Sequence, residues 1–146
     1  MTELPALSIR QPWPWVMINA GKDIENRNWW TKFRGRFFIH ASAKRSWADY
    51  GACMDLLDRI APLNEVSHLG MASLLSRKAS ALRSDDAQLG GIVGIAEIVD
   101  CVEQSDSPWF FGRYGFVLRN ACPLPFHPCK GRLGFFKVQY PYEVAA

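Results

Sequence analysis

Three features of this 146-residue chain predict an α+β fold, built as a small β-barrel of five to six strands with helices packed around it. Helix-patterned segments fall early in the chain. From Gly91 onward, short runs rich in β-branched and aromatic residues are divided by Pro/Gly turns. Interior glycines at 91 and 94 would also let a strand bend, as closure of a barrel requires. The length supports a single domain over residues 1–146, because a chain of this size buries one core and divides poorly into two.

In order along the chain, Ala6 to Arg10 alternates apolar and polar and reads as a strand, ended by Gln11-Pro12. Pro14 suits the first turn of a helix through Trp15, Val16, Met17 and Ile18, since its missing N–H would have no helical partner there, and Gly21 stops that helix. The segment Lys22 to Arg27 has two readings. An extended chain puts Glu25 and Arg27 on one side, a helical turn brings Lys22 beside Glu25, and either supplies an ion pair. After the basic, aromatic loop at 31–36 comes a strand with the core-like run Phe37, Phe38, Ile39. Ser46 followed by Asp49 resembles a capping box, and Trp47, Tyr50, Met54 and Leu57 then recur at helical spacing as a core stripe. Residues 62–90 read as a helical insertion, with an amphipathic helix around Met71–Leu82. Strands follow at Ile92–Val99, Phe116–Leu118 and Phe135–Val138.

Charge is unevenly spread. Residues 1–50 carry eight Lys/Arg against four Asp/Glu, and no acidic residue occurs between Asn26 and Ala48. One-signed stretches of this kind attract phosphate. The four cysteines (Cys53, Cys101, Cys122, Cys129) form no CxxC pair and no apolar leader precedes them, so the expectation is a cytoplasmic protein with reduced thiols. Cys122 and Cys129 flank His127 without the second ligand pair that a zinc site needs, so no metal site is expected. No apolar run approaches bilayer length, no phosphate-loop motif occurs, and nothing in the residues specifies an oligomeric state.

Chemistry concentrates near the first helix. Lys22, Glu25 and Arg27 lie among Trp13, Trp15, Trp29 and Trp30, where aromatic walls make a drier setting and move pKa values. Glu97 interrupts an apolar strand, and a carboxylate there needs a cation; Lys22 is the candidate. His40 and Lys44 follow the Phe37–Ile39 strand toward the same mouth, and Trp109 or Phe110 in the turn at 105–112 can stack on a base.

These residues resemble the ASCH domain family, whose fold belongs to the PUA-like β-barrels. The resemblance rests on the opening Leu7-Ser8-Ile9-Arg10-Gln11-Pro12-Trp13, the Gly21-Lys22-x-x-Glu25-x-Arg27 signature, Arg34-Gly35-Arg36 before a strand ending His40-Ala41, and Gly94-x-Ala96-Glu97-x-Val99. It extends to Ser107-Pro108-Trp109-Phe110 and Lys130-Gly131, leaving out only residues 62–90. It implies a nucleotide-sized cleft lined by the Gln11-Pro12-Trp13 turn, Lys22, Glu25, Arg27 and the β-rich half. One branch of the family removes the acetyl group from N4-acetylcytidine with a lysine, a threonine and a glutamate. By register Lys22 matches the lysine and Glu97 the glutamate, but Glu25 stands at the threonine position, so that nucleophile is missing.

Three functions follow. In the first, Arg27, Arg34, Arg36, Lys44 and Lys130 hold the phosphates of RNA or a modified nucleotide, Trp13 or Trp109 stacks a base, and Gln11 or Ser8 reads its edge. The second is a hydrolase in which Glu25 or Glu97 activates water and Lys22 acts as acid or oxyanion stabiliser. Its substrate is an acetylated cytidine or, with a carboxylate-bound divalent cation, single-stranded RNA; no other cofactor is called for. The third is a scaffold that meets a protein partner through the helix at Ser46–Ile60.

Overall fold

A computed structural model of the chain describes residues 1–60 and 88–145. In chain order the elements are β1 (Thr2–Ile9), α1 (Trp13–Asn19), β2 (Ile24–Arg27), β3 (Gly35–Ala41), α2 (Trp47–Ile60), β4 (Gly91–Val102), β5 (Tyr114–Pro128) and β6 (Phe135–Tyr140). The helix expected around Met71–Leu82 lies outside the described residues, as does nearly all of the 62–90 insertion. No described helix is long and apolar enough to cross a membrane.

The strands form one mixed sheet in the order β2-β5-β4-β3-β1-β6. β1 and β3 run parallel because α1 and β2 make the crossover between them; the other pairings are antiparallel. The α+β class holds, but the closed barrel does not. The sheet ends at β2 on one side and β6 on the other, with no pairing between them among the described residues. Side chains span the opening instead. Trp29 packs edge-on against Phe116 of β5 and Phe135 of β6, with ring centroids 5.1 and 5.7 Å apart, and those two phenylalanines stack at 6.2 Å. Rings filled into the gap keep its two sides beyond the ~4.8 Å strand spacing that ladder hydrogen bonds require.

Both faces of the sheet are covered. Along β3, Phe37 and Ile39 join Leu7, Ile9, Val93, Ala96, Ile98 and Phe116 on one face, while Phe38 joins Ala6, Ile92, Ile95, Phe136, Val138 and Tyr140 on the other. The unbroken apolar run is therefore a strand buried on two sides. Both ladders of β4 shift register between Ile92 and Gly94, where the bend was expected, and Gly94 also makes room for a helix. A Cβ there would lie 2.6 Å from the Cys122 carbonyl oxygen and 2.7 Å from Ile18 Cδ1, so its absence lets α1 settle onto the sheet.

A third cluster, Val16, Ala20, Ile24, Cys53, Leu56, Leu57 and Trp109, ties α1, β2 and α2 to the turn at 105–112. In α2 the buried stripe is Tyr50, Cys53, Leu56 and Leu57, whereas Trp47 stays 60% exposed, so the stripe starts one turn later than expected. Asp49 does not complete a capping box. Its carboxylate accepts Trp13 Nε1 at 3.2 Å and pairs with Arg10 Nε at 2.9 Å, which fastens α2 to the start of α1.

Candidate functional site

Extended β2 settles the choice left by the sequence and yields both contacts. Strand alternation puts Glu25 and Arg27 on one side, and Lys22 reaches the same carboxylate from the turn after α1. Glu25 Oε1 accepts from Lys22 Nζ at 3.4 Å, and Oε2 accepts from Arg27 Nε at 3.0 Å and pairs with Nη2 at 2.9 Å. Lys22 Nζ also donates to the Ile24 carbonyl and sits 5.6 Å from the centroid of the Trp13 ring. Arg27 Nη2 donates to the Ser8 carbonyl at 2.9 Å, linking β2 to β1 across the open side of the sheet. The side chains of Lys22 and Glu25 are only 3% and 8% exposed. Burial holds the Lys22 ammonium below its ordinary pKa, with the Glu25 charge and hydrogen bond opposing and the Arg27 charge adding to the fall. Burial pushes the neighbouring Cys53 thiol up to about 12, against the pull of Lys22.

This cluster floors a hollow of about 620 Å³, a size suited to a small-molecule ligand. Trp13 and Trp109 wall it, and Phe111 stands 47% exposed at its edge. Asn26 fixes that edge: its Nδ2 donates to the Trp109 carbonyl at 2.9 Å, and its Oδ1 accepts the Phe111 N–H at 2.8 Å. Ser107 Oγ donates to Asp23 Oδ1 at 2.6 Å and pins the same turn. Helix α2 supplies the opposite wall through Ala52, Asp55, Leu56 and Arg59, and Arg10 stands at the rim. The lining thus sets four cations (Arg10, Lys22, Arg27, Arg59) against two carboxylates (Glu25, Asp55).

Of the residues singled out from sequence, Ser8, Trp13, Lys22, Glu25, Arg27 and Trp109 meet in this hollow. The Ser8 hydroxyl lies 3.0 Å from His40 Nδ1, and the Ser8 carbonyl accepts from Arg27. The remaining residues sit elsewhere. Glu97 is not a partner of Lys22: it lies level with Arg36 on β3 and Arg119 on β5, while its neighbours Ala96 and Ile98 take the core side. Residues opposite one another on paired strands share a face, so two arginines flank this carboxylate outside the hollow. His40 is buried, and its Nε2 meets the Cys129 carbonyl at 2.8 Å, so both ring nitrogens are occupied in packing. Burial lowers its pKa, and the Cys129 carbonyl opposes that shift.

Gln11 is also a structural residue: Nε2 donates to the Gln88 carbonyl and Oε1 accepts the Trp15 N–H, each at 3.3 Å. Arg34 donates to the carbonyls of Thr31 and Phe33, and Arg36 to that of Ala145. Lys44 and Lys130 are exposed and do not line the hollow. Sequence reasoning missed Arg10, Asn26, Asp55, Arg59 and Phe111. Asp55 and Arg59 carried a usable signal, since residues four apart on a helix share a face beside its buried stripe. No group of three or more metal-ligating side chains occurs among the described residues, and all four cysteines are free thiols.

Activating signal cointegrator 1 from Homo sapiens is 30% identical over 118 residues, covering 72% of this chain and 18% of that protein. The Mus musculus protein of the same name is 31% identical over 98 residues, covering 67% of this chain and 14% of its own length. The chain therefore spans less than a fifth of either relative. The model of the ASCH domain matches residues 7–121, a stretch that includes Lys22, Glu25 and Arg27, and the chain belongs to the ASCH domain family.

Proposed function

We propose that this domain binds RNA or a modified nucleotide in the hollow between α1, α2 and β2. One observation carries the reading: a buried lysine and a partly buried arginine around a single carboxylate form the floor of an aromatic-walled hollow about 620 Å³ in volume. Such a floor attracts an anion in a setting where water screens little, and the aromatic wall gives a base a flat surface to lie against. Binding of single-stranded RNA, followed by tryptophan fluorescence across a salt series, tests it. Affinity falls as salt rises and falls again in Arg27→Ala, whereas no binding at low salt would remove the proposal.

A hydrolytic reading draws on one feature, the lowered pKa of Lys22, which makes its ammonium a readier proton donor to a leaving group. Against it, both oxygens of Glu25 are engaged by cations, and Glu97 lies outside the hollow. This ranks chemistry below binding. Incubation with N4-acetylcytidine, and with single-stranded RNA plus a divalent cation, decides it: turnover that survives both Lys22→Met and Glu25→Gln rejects the site.

A further inference from the structure

The cations inside the hollow and those outside it favour different ligands. A protein that tracks a nucleic-acid strand lays its positive side chains along the path of successive phosphates. Here the basic residues that the sequence offered for such a path outside β2, namely Arg34, Arg36, Lys44 and Lys130, do not line the hollow. Arg34 and Arg36 donate to main-chain carbonyls, and neither lines the hollow. Positive charge is concentrated in the hollow itself, where Lys22 and Arg27 share the one carboxylate of Glu25. Arg27 commits Nε and Nη2 to Glu25 and Ser8, and its Nη1 has no partner among the described residues. Arg59 likewise has none among them, and Arg10 uses only Nε on Asp49.

We infer that the hollow takes a compact ligand, a flat ring system joined to one phosphate, and not the interior of an RNA strand. The nucleoside monophosphate unit has this chemistry, whether free or as the phosphorylated end of an RNA chain. The phosphate completes the charge of the Lys22–Glu25–Arg27 floor and is held by guanidinium donors of Arg27, Arg10 and Arg59, whose forked geometry fits phosphate oxygens. The base lies against Trp13 or Phe111, the latter 47% exposed where Trp109 is 5% exposed and spent on packing. Asp55, facing the same space, accepts hydrogen bonds from sugar hydroxyls.

This inference rests on the nucleotide-binding function proposed above, and one set of titrations separates its failure from that function's failure. The probes are nucleoside 5′-monophosphates, the matching nucleosides, and a short single-stranded RNA with and without a terminal phosphate, followed by calorimetry over a salt series. Monophosphates bind and compete with the RNA, nucleosides bind at least about ten-fold more weakly, and the terminal phosphate strengthens RNA binding. The salt slope for RNA is that of about one phosphate contact and not several. Arg59→Ala weakens the monophosphate about ten-fold without affecting the nucleoside, and Arg36→Ala changes neither. If a free monophosphate alone binds, the ligand is the nucleotide itself; if phosphorylated RNA binds far more tightly, it is the chain end, and both support the inference. RNA that binds with a slope of several contacts, weakens in Arg36→Ala and is not displaced by monophosphate overturns it while leaving nucleic-acid binding intact. No binding of any probe at low salt removes both.

Discussion

Glu25 is the side chain on which most of the local chemistry depends. It accepts from Lys22 and Arg27, and Glu25→Gln would leave the buried Lys22 and the partly buried Arg27 facing a neutral amide. Removing one partner of a buried ionic group costs about 3 kcal/mol or more, so urea unfolding of Glu25→Gln shows a loss of at least that size. Lys22 gives a signed pH effect. Its pKa is lower folded than unfolded, so the unfolded chain holds the extra proton in between, and stability rises with pH from the folded value toward 10.5. Lys22→Met lacks that rise. Cys53 has the opposite sign: its folded pKa is raised from 9.0 to about 12, so its contribution is intact below 9.0 and is lost as pH climbs toward about 12. Urea midpoints of the parent, Lys22→Met and Cys53→Ala across the alkaline range separate the two. The Gly131 position of the Lys130-Gly131 segment also has a structural basis. A Cβ there would lie 2.8 Å from His40 Cε1 and 2.9 Å from Ser8 Oγ, so Gly131→Ala displaces the His40–Ser8 pair and lowers thermal stability.

Helix α2 shows how far patterns can be read and where they mislead. Periodicity located the helix correctly, and Tyr50 and Leu57 are buried as expected. The S-x-x-D pattern misled because Asp49 is drawn to Trp13 and Arg10, contacts made across 36 and 39 positions of chain that no local pattern encodes. Asp49→Ala therefore loosens α2 from α1, lowering stability by about 1 kcal/mol and shifting the Trp13 fluorescence. Gly94→Ala tests the seat of α1 on the sheet: the added methyl meets Ile18 and the Cys122 carbonyl, and destabilisation of about 1–3 kcal/mol follows in thermal unfolding. Strand β2 was ambiguous from sequence because four residues carry too little alternation to choose a period.

Across the fold, the strands other than β2 and the ion pairing among Lys22, Glu25 and Arg27 were readable because each depends on short-range pattern and on apolar or charged residues close in sequence. The ends of the sheet were not. Whether β2 and β6 pair is decided by how Trp29, Phe116 and Phe135 fill the space between them, which is a matter of volume and not of order along the chain. The far wall of the hollow was missed for a related reason: Asp55 and Arg59 face it only because α2 docks by its Tyr50–Leu57 stripe. Glu97 was misassigned because an apolar run interrupted by one acid leaves open which face the acid takes, and the flanking arginines come from two other strands.

The position of β2 has a consequence for how the charged floor of the hollow comes apart. Four residues at the margin of the sheet, paired to β5 alone, carry both Glu25 and Arg27. Amide protons of such a strand exchange with solvent through brief local openings, at a free energy below that of global unfolding. In rising denaturant, the Lys22–Glu25–Arg27 floor is therefore lost before the central strands melt, and deuterium uptake at Ile24–Arg27 precedes uptake in β3 and β4.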